Sequence, residues 1–303
     1  MKQTVKEPGP KLDFSDHLNT TVREYWWDYD FLYLMQKRLG LEKCKKALDL
    51  GCGMGHWTHT ILPHLHPEAK IIGVDNNPEW VKQAILQSNP RMEFEYGNVY
   101  SLPFPNKSFD FITCQSFFMH LDRPKDAMKE IHRVLKKKGW VFLVEINNYG
   151  NLVRVNSAQE ALSMEERLKI GELYTILEEG KKLCGDGFMG IHAKLPKMLE
   201  EQGYRHIQYF KNDTAFNIYP PYKDIKQKVM LEFLMSFIEK GHAHVYPREL
   251  TEKYFLAAKN DKTLYEKLMQ VSDKLNSIYK QQITDKTFEG TFGSDMIITC
   301  AVK

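Results

Sequence analysis

The chain has 303 residues, 43% of them hydrophobic and 27% charged, with a net charge of +3. It is long enough to bury a large core without staples, and its mild, interspersed basicity falls short of the dense footprint of a dedicated nucleic-acid binder. Five scattered cysteines (Cys44, Cys52, Cys114, Cys184 and Cys300) form no CxxC pair, so neither a disulfide framework nor a zinc knuckle is indicated. No apolar run reaches the ~18–20 residues of a membrane span, and the first residues lack the apolar stretch of a secretion signal. The expected compartment is a reducing cytoplasm.

Taken in order, residues 1–15 hold Pro8, Gly9 and Pro10 and are expected to be loose. Residues 17–40 read as one helix rich in aromatic side chains, and Tyr25, Tyr29 and Tyr33 fall at i, i+4 and i+8 on a shared face. From Lys46 to Asn148, short apolar runs alternate with amphipathic segments of about 10–14 residues, the form of repeated βα units. Strands are predicted at 47–50, 71–75, 92–96, 109–114 and 140–146, with helices at about 56–65, 78–88 and 124–137. Lys136, Lys137 and Lys138 read as a solvated helix end, and Gly139 as its stop.

Beyond Asn148 the pattern becomes helical. Ser157-Ala-Gln-Glu160 and Ser163-Met-Glu-Glu166 both have capping-box spacing, and the block runs to a glycine-rich break at 185–190. A short helix at 195–202, a strand at 207–210, a long helical region at about 223–283 broken at 241–247, and a strand at 296–302 complete the chain. The expected organisation is an N-terminal helical lid (1–40), an α/β core (41–150), a helical insertion (151–190), a continuation of the core (191–212), a second helical insertion acting as a cap (213–290) and a closing strand (291–303).

The chemistry concentrates at residues 47–55, Ala-Leu-Asp-Leu-Gly-Cys-Gly-Met-Gly, a strand leading through a glycine turn into a helix. Gly51, Gly53 and Gly55 allow a tight turn with positive φ and close approach of backbone to a ligand. Asp75 follows at the tip of the second strand, where a carboxylate can accept both hydroxyls of a ribose. Together these features point to a cofactor containing adenosine. A dinucleotide fingerprint needs its third glycine where His56 stands. The spacing here is GxGxG, preceded by Asp49.

This arrangement resembles the motif of class I S-adenosylmethionine (SAM) dependent methyltransferases. Gly97-Asn98-Val99-Tyr-Ser-Leu-Pro-Phe104 resembles the family's GDxxxLPF segment, Phe109 to Leu121 its FDxV…HL strand and loop, and Ala127 to Gly139 its ALxEIxRVLKPGG helix. The likeness covers about residues 47–145, with a fainter tail at 195–210, and extends to the broad group that includes ubiquinone- and menaquinone-biosynthesis methyltransferases. It implies an α/β fold, a doubly wound, Rossmann-like seven-stranded sheet with the strand at 296–302 antiparallel beside the fifth, and the helical segments as its cap. It also implies SAM as cofactor, S-adenosylhomocysteine as product, and a site built from Asp49, Gly51, Gly53, Gly55, Asp75, Asn76, Asn98, Val99 and Gln115; the aromatic face of the N-terminal helix adds Tyr25 as the expected lid contact. Asn98 stands where the family has Asp; its amide oxygen can accept from the adenine amino group without charge assistance. Lys138 and a single Gly139 replace the family's PGG.

Methyl transfer asks little of side chains. The sulfonium is already a strong electrophile, so in-line positioning carries most of the rate, ~7–11 kcal/mol where it is fully realised. A base is needed only when the acceptor must lose a proton. His120, after the fourth strand, and Glu145, near the tip of the fifth, are the catalytic candidates. The extensive helical cover points to an enclosed pocket and a small-molecule acceptor, with no nucleic acid and no membrane span. Two other readings stay open: a non-catalytic binding protein on the same fold, and an NAD-dependent oxidoreductase. Three tempting motifs are declined. Tyr219-Pro-Pro-Tyr222 is far from the fourth strand, where amino-methyltransferases carry their NPPY. His56, His59, His64 and His66 lack partners for a metal set. Tyr222-Lys-Asp-Ile-Lys226, with the spacing of a reductase motif, sits well beyond the fifth strand.

Overall fold

The computed structural model describes residues 21–147, 155–243, 246–293 and 295–303. The expectation of a loose segment at 1–15, and the first residues of the helix expected at 17–40, lie outside these.

Five apolar runs become parallel strands: β1 (Lys46–Leu50), β2 (Lys70–Asp75), β3 (Met92–Tyr96), β4 (Phe109–Gln115) and β5 (Leu135–Ile146). In β1 four successive residues, Ala47 to Leu50, are buried, as expected for a strand covered on both faces. Before them lies helix α1 (Tyr29–Leu39); between them run α2 (His56–Ile61), α3 (Pro78–Leu86) and α4 (Pro124–Val134). Proline at the first turn of α3 and of α4 suits positions that have no hydrogen-bond acceptor for an N–H.

The end of α4 differs from the sequence reading. The helix stops at Val134, and Leu135 is already in β5, opposite Phe109 of β4. The lysines 136–138 thus form the irregular opening of a strand. Lys138 takes φ +63° and its N–H donates to the Lys303 carbonyl (2.9 Å), while the Lys303 N–H returns to Gly139 (3.0 Å). Pairing with distant strands overrode the local helical pattern.

After Asn156 the chain forms α5 (Ser157–Glu160), α6 (Met164–Leu183), α7 (Leu195–Glu201), β6 (Arg205–Lys211), β7 (Phe216–Ile218), α8 (Ile225–Glu239), α9 (Arg248–Lys259), α10 (Lys262–Thr284), β8 (Gly290–Phe292) and β9 (Met296–Val302). Ser163 and Glu166 make the complete capping box that their spacing implies. The first box does not form: Asn156 caps α5 instead, and the Ser157 hydroxyl donates to Gln282 on α10 (2.7 Å). The helical region at 223–283 is broken a second time, at Asn260, which turns left-handed at φ +46°. A Cβ at Gly180 would lie 1.7 Å from the Tyr254 carbonyl, so the glycine lets α6 and α9 cross in backbone contact.

The main sheet has the order β3-β2-β1-β4-β5-β9-β6, with β9 antiparallel to both neighbours, so the doubly wound, Rossmann-like arrangement is present. A second, two-stranded sheet, β7 with β8, ties the two ends of the second insertion together. No pattern in the sequence marks it.

The expected continuous first helix is broken. Residues Thr21–Tyr25 form a 3-10 turn, and α1 starts afresh after Asp28. The Trp26 carbonyl accepts from Asn212 Nδ2 (3.0 Å) and Thr214 Oγ1 (3.2 Å), so a distant segment takes the acceptor that a helix would use. Tyr25 therefore shares no helix face with Tyr29 and Tyr33, which are 68% and 49% exposed. The face of α1 that docks is Phe31, Leu32, Met35 and Leu39, in one cluster with Trp57, Phe142 and Val144.

Candidate cofactor and active site

At the carboxyl end of β1, the N–H groups of Gly51 and Cys52 both donate to the Val74 carbonyl (2.8 and 3.2 Å), lashing the glycine turn to β2. Gly51 and Gly55 have φ of +66° and +91°. A Cβ at Gly51 would meet the Phe117 ring at 2.2 Å, and one at Gly55 the Phe94 ring at 2.9 Å. Glycine is needed here for the turn and equally for the aromatic rings packed on it.

Asp75 is 6% exposed and bridges two segments: Oδ2 accepts from the Gly53 N–H (2.9 Å) and Oδ1 from the Asn77 N–H (2.8 Å). A carboxylate offers about four acceptor positions, so accepting from backbone amides is compatible with taking a diol as well. Asn76 between them is exposed, and Asn77 caps α3 through Glu79 and Trp80. The Gly97 N–H donates to the Asp75 carbonyl (2.9 Å), which brings the next segment alongside. There Val99 is buried and Asn98 exposed, with the Asn98 amide oxygen accepting from the Tyr100 N–H (3.0 Å).

Asp49 lies wholly inside. Its Oδ2 accepts from the Thr58 hydroxyl at 2.6 Å, and its Oδ1 is buried with no hydrogen-bond partner. Burial, aided by the nearby Asp75 and opposed by Thr58, pushes its pKa up to about 7.

The loop after β4 forms the other wall. Gln115 accepts from Trp27 Nε1 (3.0 Å), and Trp27 lies 5.1 Å from the Trp57 ring. Ser116 turns left-handed at φ +52°. Glu145, fully buried on β5, then holds the loop: Oε1 accepts from the Phe117 and Phe118 N–H groups (3.0 and 2.7 Å), and Oε2 from Met119 (3.3 Å). Burial raises its pKa to about 7 against the pull of those three amides and of Lys181. His120 closes the 3-10 turn Phe118–His120, half-buried.

Thus Asp49, the three glycines, Asp75, Asn76, Asn98, Val99 and Gln115 gather along the carboxyl ends of β1 to β4. Tyr25, half-buried at the end of its turn, is not placed by a helix face as expected. Sequence reasoning missed Thr58, Trp27 and Phe117. The two aromatics sit inside the aromatic stretch at 17–40 and the strand and loop at 109–121, whereas no spacing rule marks a threonine nine residues beyond Asp49.

Residues 48–143 match the family model for the methyltransferase domain. The chain is 30% identical over 137 residues to a demethylmenaquinone methyltransferase of Geobacillus stearothermophilus, covering 43% of this chain and 57% of that protein. It is 35% identical over 118 residues to the uncharacterised methyltransferase YcgJ of Bacillus subtilis, covering 38% and 46%. The chain spans about half the length of the curated relatives it matches. Among solved structures, that of YcgJ aligns with a TM-score of 0.48 at 18% identity, over 91% of this chain and 99% of that one. Phosphoethanolamine N-methyltransferase 2 of Haemonchus contortus, in complex with phosphomonomethylethanolamine and S-adenosylhomocysteine, aligns with a TM-score of 0.46 at 16% identity, over 90% and 52%.

Proposed function

We propose that this chain is a class I SAM-dependent methyltransferase that acts on a small-molecule acceptor held between the sheet edge and the helical cap. One observation carries the reading: Asp75 Oδ2 receives the Gly53 N–H at 2.9 Å inside the segment that matches the methyltransferase domain, joining the ribose-binding carboxylate and the glycine turn in one cradle. The residues present fit the cofactor. The buried Asp49 Oδ1 lacks a donor, which the amino group of the ligand would supply.

In this reading Asp75 takes the ribose diol. Asn98 and Val99 flank the adenine, with the Asn98 oxygen shared with Tyr100. Asp49 and the backbone of residues 51–55 receive the amino-acid end. SAM supplies an activated methyl group. The protein's part is to orient, exclude water and shape the acceptor side, which falls to Phe117–His120 and to Trp27 through its bond with Gln115. Glu145 serves here as the fixture of that loop, since its oxygens engage three amides. His120 is the candidate to contact an acceptor. Demethylmenaquinone, for which the Geobacillus stearothermophilus relative is named, is the first acceptor to try.

The test is calorimetric titration with SAM, S-adenosylhomocysteine and NADH, followed by incubation with methyl-labelled SAM and metabolite extracts read by mass spectrometry. Binding of SAM with label transfer is expected. Binding without any transfer would favour a non-catalytic role, and NADH binding in place of SAM would refute the cofactor assignment.

A further inference from the structure

Lys181, near the C-terminal end of α6, is fully buried. Its Nζ donates to the Met119 carbonyl at 2.9 Å and approaches Met189 Sδ at 3.6 Å. An ammonium group in such a place is expensive, and a leucine or methionine would fill the same space without that penalty. Burial draws its pKa down to about 8, while Glu178, Asp186 and Glu145 favour its charge.

The same cap touches the same loop at a second point. Gly187, at φ +97°, brings its backbone so close that a Cβ would lie 2.1 Å from the Met119 carbonyl and 2.8 Å from the His120 Cα. The neighbours tie this contact to the second insertion. Asp186 receives Lys253 of α9 (2.8 Å), and Glu178 receives the Tyr246 hydroxyl (2.8 Å). From the sheet side, Glu145 grips the amides of Phe117, Phe118 and Met119. The turn Phe118–His120 is therefore held by its N–H groups from β5 and by a carbonyl from the cap.

We propose that Lys181 is a positioning residue for the loop after β4. It reaches out of the cap to fix the Met119 carbonyl opposite the Glu145 grip, so that the cap and this wall of the site move as one body. The functional meaning rests on the reading of that loop as the acceptor wall; the mechanical claim does not.

The experiment is hydrogen exchange on the full chain, following peptides that span residues 115–123, in the wild type, Lys181→Met and Lys181→Arg, with S-adenosylhomocysteine titrated into each. Losing a charged hydrogen bond to a buried carbonyl should speed exchange at residues 117–120 by about 10-fold to 100-fold while β1 and β2 stay protected. Lys181→Arg, which keeps charge and donors, should recover at least half of the lost protection. Unchanged loop exchange in a folded Lys181→Met, or no recovery in a folded Lys181→Arg, would overturn the proposal. Should Lys181→Met fail to fold, denaturant-dependent exchange on the wild type decides. Loop and α6 amides opening together support a single body, and loop opening at lower denaturant refutes it. Absence of S-adenosylhomocysteine binding in the wild type would count against the cofactor assignment and leave the exchange result standing.

Discussion

Replacing Gly51 by alanine tests the geometry of the cradle at its tightest point. Two separate penalties are expected. The first is conformational: at φ +66° an L-residue pays about 1–2 kcal/mol relative to glycine. The second is steric. The new Cβ would lie 2.2 Å from Phe117 Cδ2, 2.9 Å from Cγ and 3.0 Å from Cε2. Ordinary contact begins near 3.4 Å, so the ring must retreat by more than 1 Å. Its backbone N–H is pinned to Glu145, which leaves side-chain rotation as the only easy escape. Overpacking of this kind costs about 1–3 kcal/mol, which brings the total to roughly 2–5 kcal/mol. Urea unfolding of Gly51→Ala, Phe117→Ala and the double variant separates the parts. In the Phe117→Ala background the steric part vanishes, and Gly51→Ala should cost only about 1–2 kcal/mol. An equal cost in both backgrounds would show that the ring does not pack on Gly51. No cost in either would show that the turn is not left-handed.

Asp75→Ala should weaken S-adenosylhomocysteine by about 2–4 kcal/mol, since two charge-assisted bonds to the ribose are lost; unchanged affinity in a folded variant by calorimetry would remove Asp75 from the site. For Asp49, whose folded pKa is raised from 3.8 to about 7, the folded state holds the proton more tightly than the unfolded chain. Its contribution to stability is therefore complete below about pH 4 and lost as pH rises to about 7, on the order of 4 kcal/mol, and Asp49→Asn should flatten that slope in urea midpoints measured from pH 5 to 8. An identical slope would mean that Asp49 titrates normally. Because Met35 of α1 is fully buried, Met35→Ala should cost about 2–5 kcal/mol. Amides of residues 29–39 should be protected before any ligand is added, and exchange there that stays rapid until S-adenosylhomocysteine binds would instead make this helix a lid.

The α/β core was legible because its signals are local and mutually consistent. Glycines at 51, 53 and 55 end one apolar run, an aspartate ends the next, and each run has the length of a buried strand. What escaped was decided at long range. The tyrosine stripe at 25, 29 and 33 fits a helix perfectly well, yet Asn212 and Thr214 claim the Trp26 carbonyl and break it. The lysines after α4 look like a helix end, yet the pairing of Leu135 with Phe109 makes them strand. In the sequence Glu145 is marked only by its place at a strand tip. That it grips three amides depends on a loop nearly thirty residues earlier, and no spacing within either segment reveals the match.

The position of β9 bears on how the chain is made. β5 finds its outer neighbour only in residues 296–302, some 150 residues later, because both helical insertions and β6 come between them. At a synthesis rate of about 5–20 residues per second, the apolar edge of residues 141–144 waits roughly 8–30 s at the ribosome for its partner. β6 does not relieve it in the finished sheet, where β6 pairs with β9 and not with β5. A nascent chain in that interval carries an open, sticky strand, the kind of surface that holding chaperones shield. Slowed translation through the second insertion is thus a greater hazard to this protein than slowed translation through its first half.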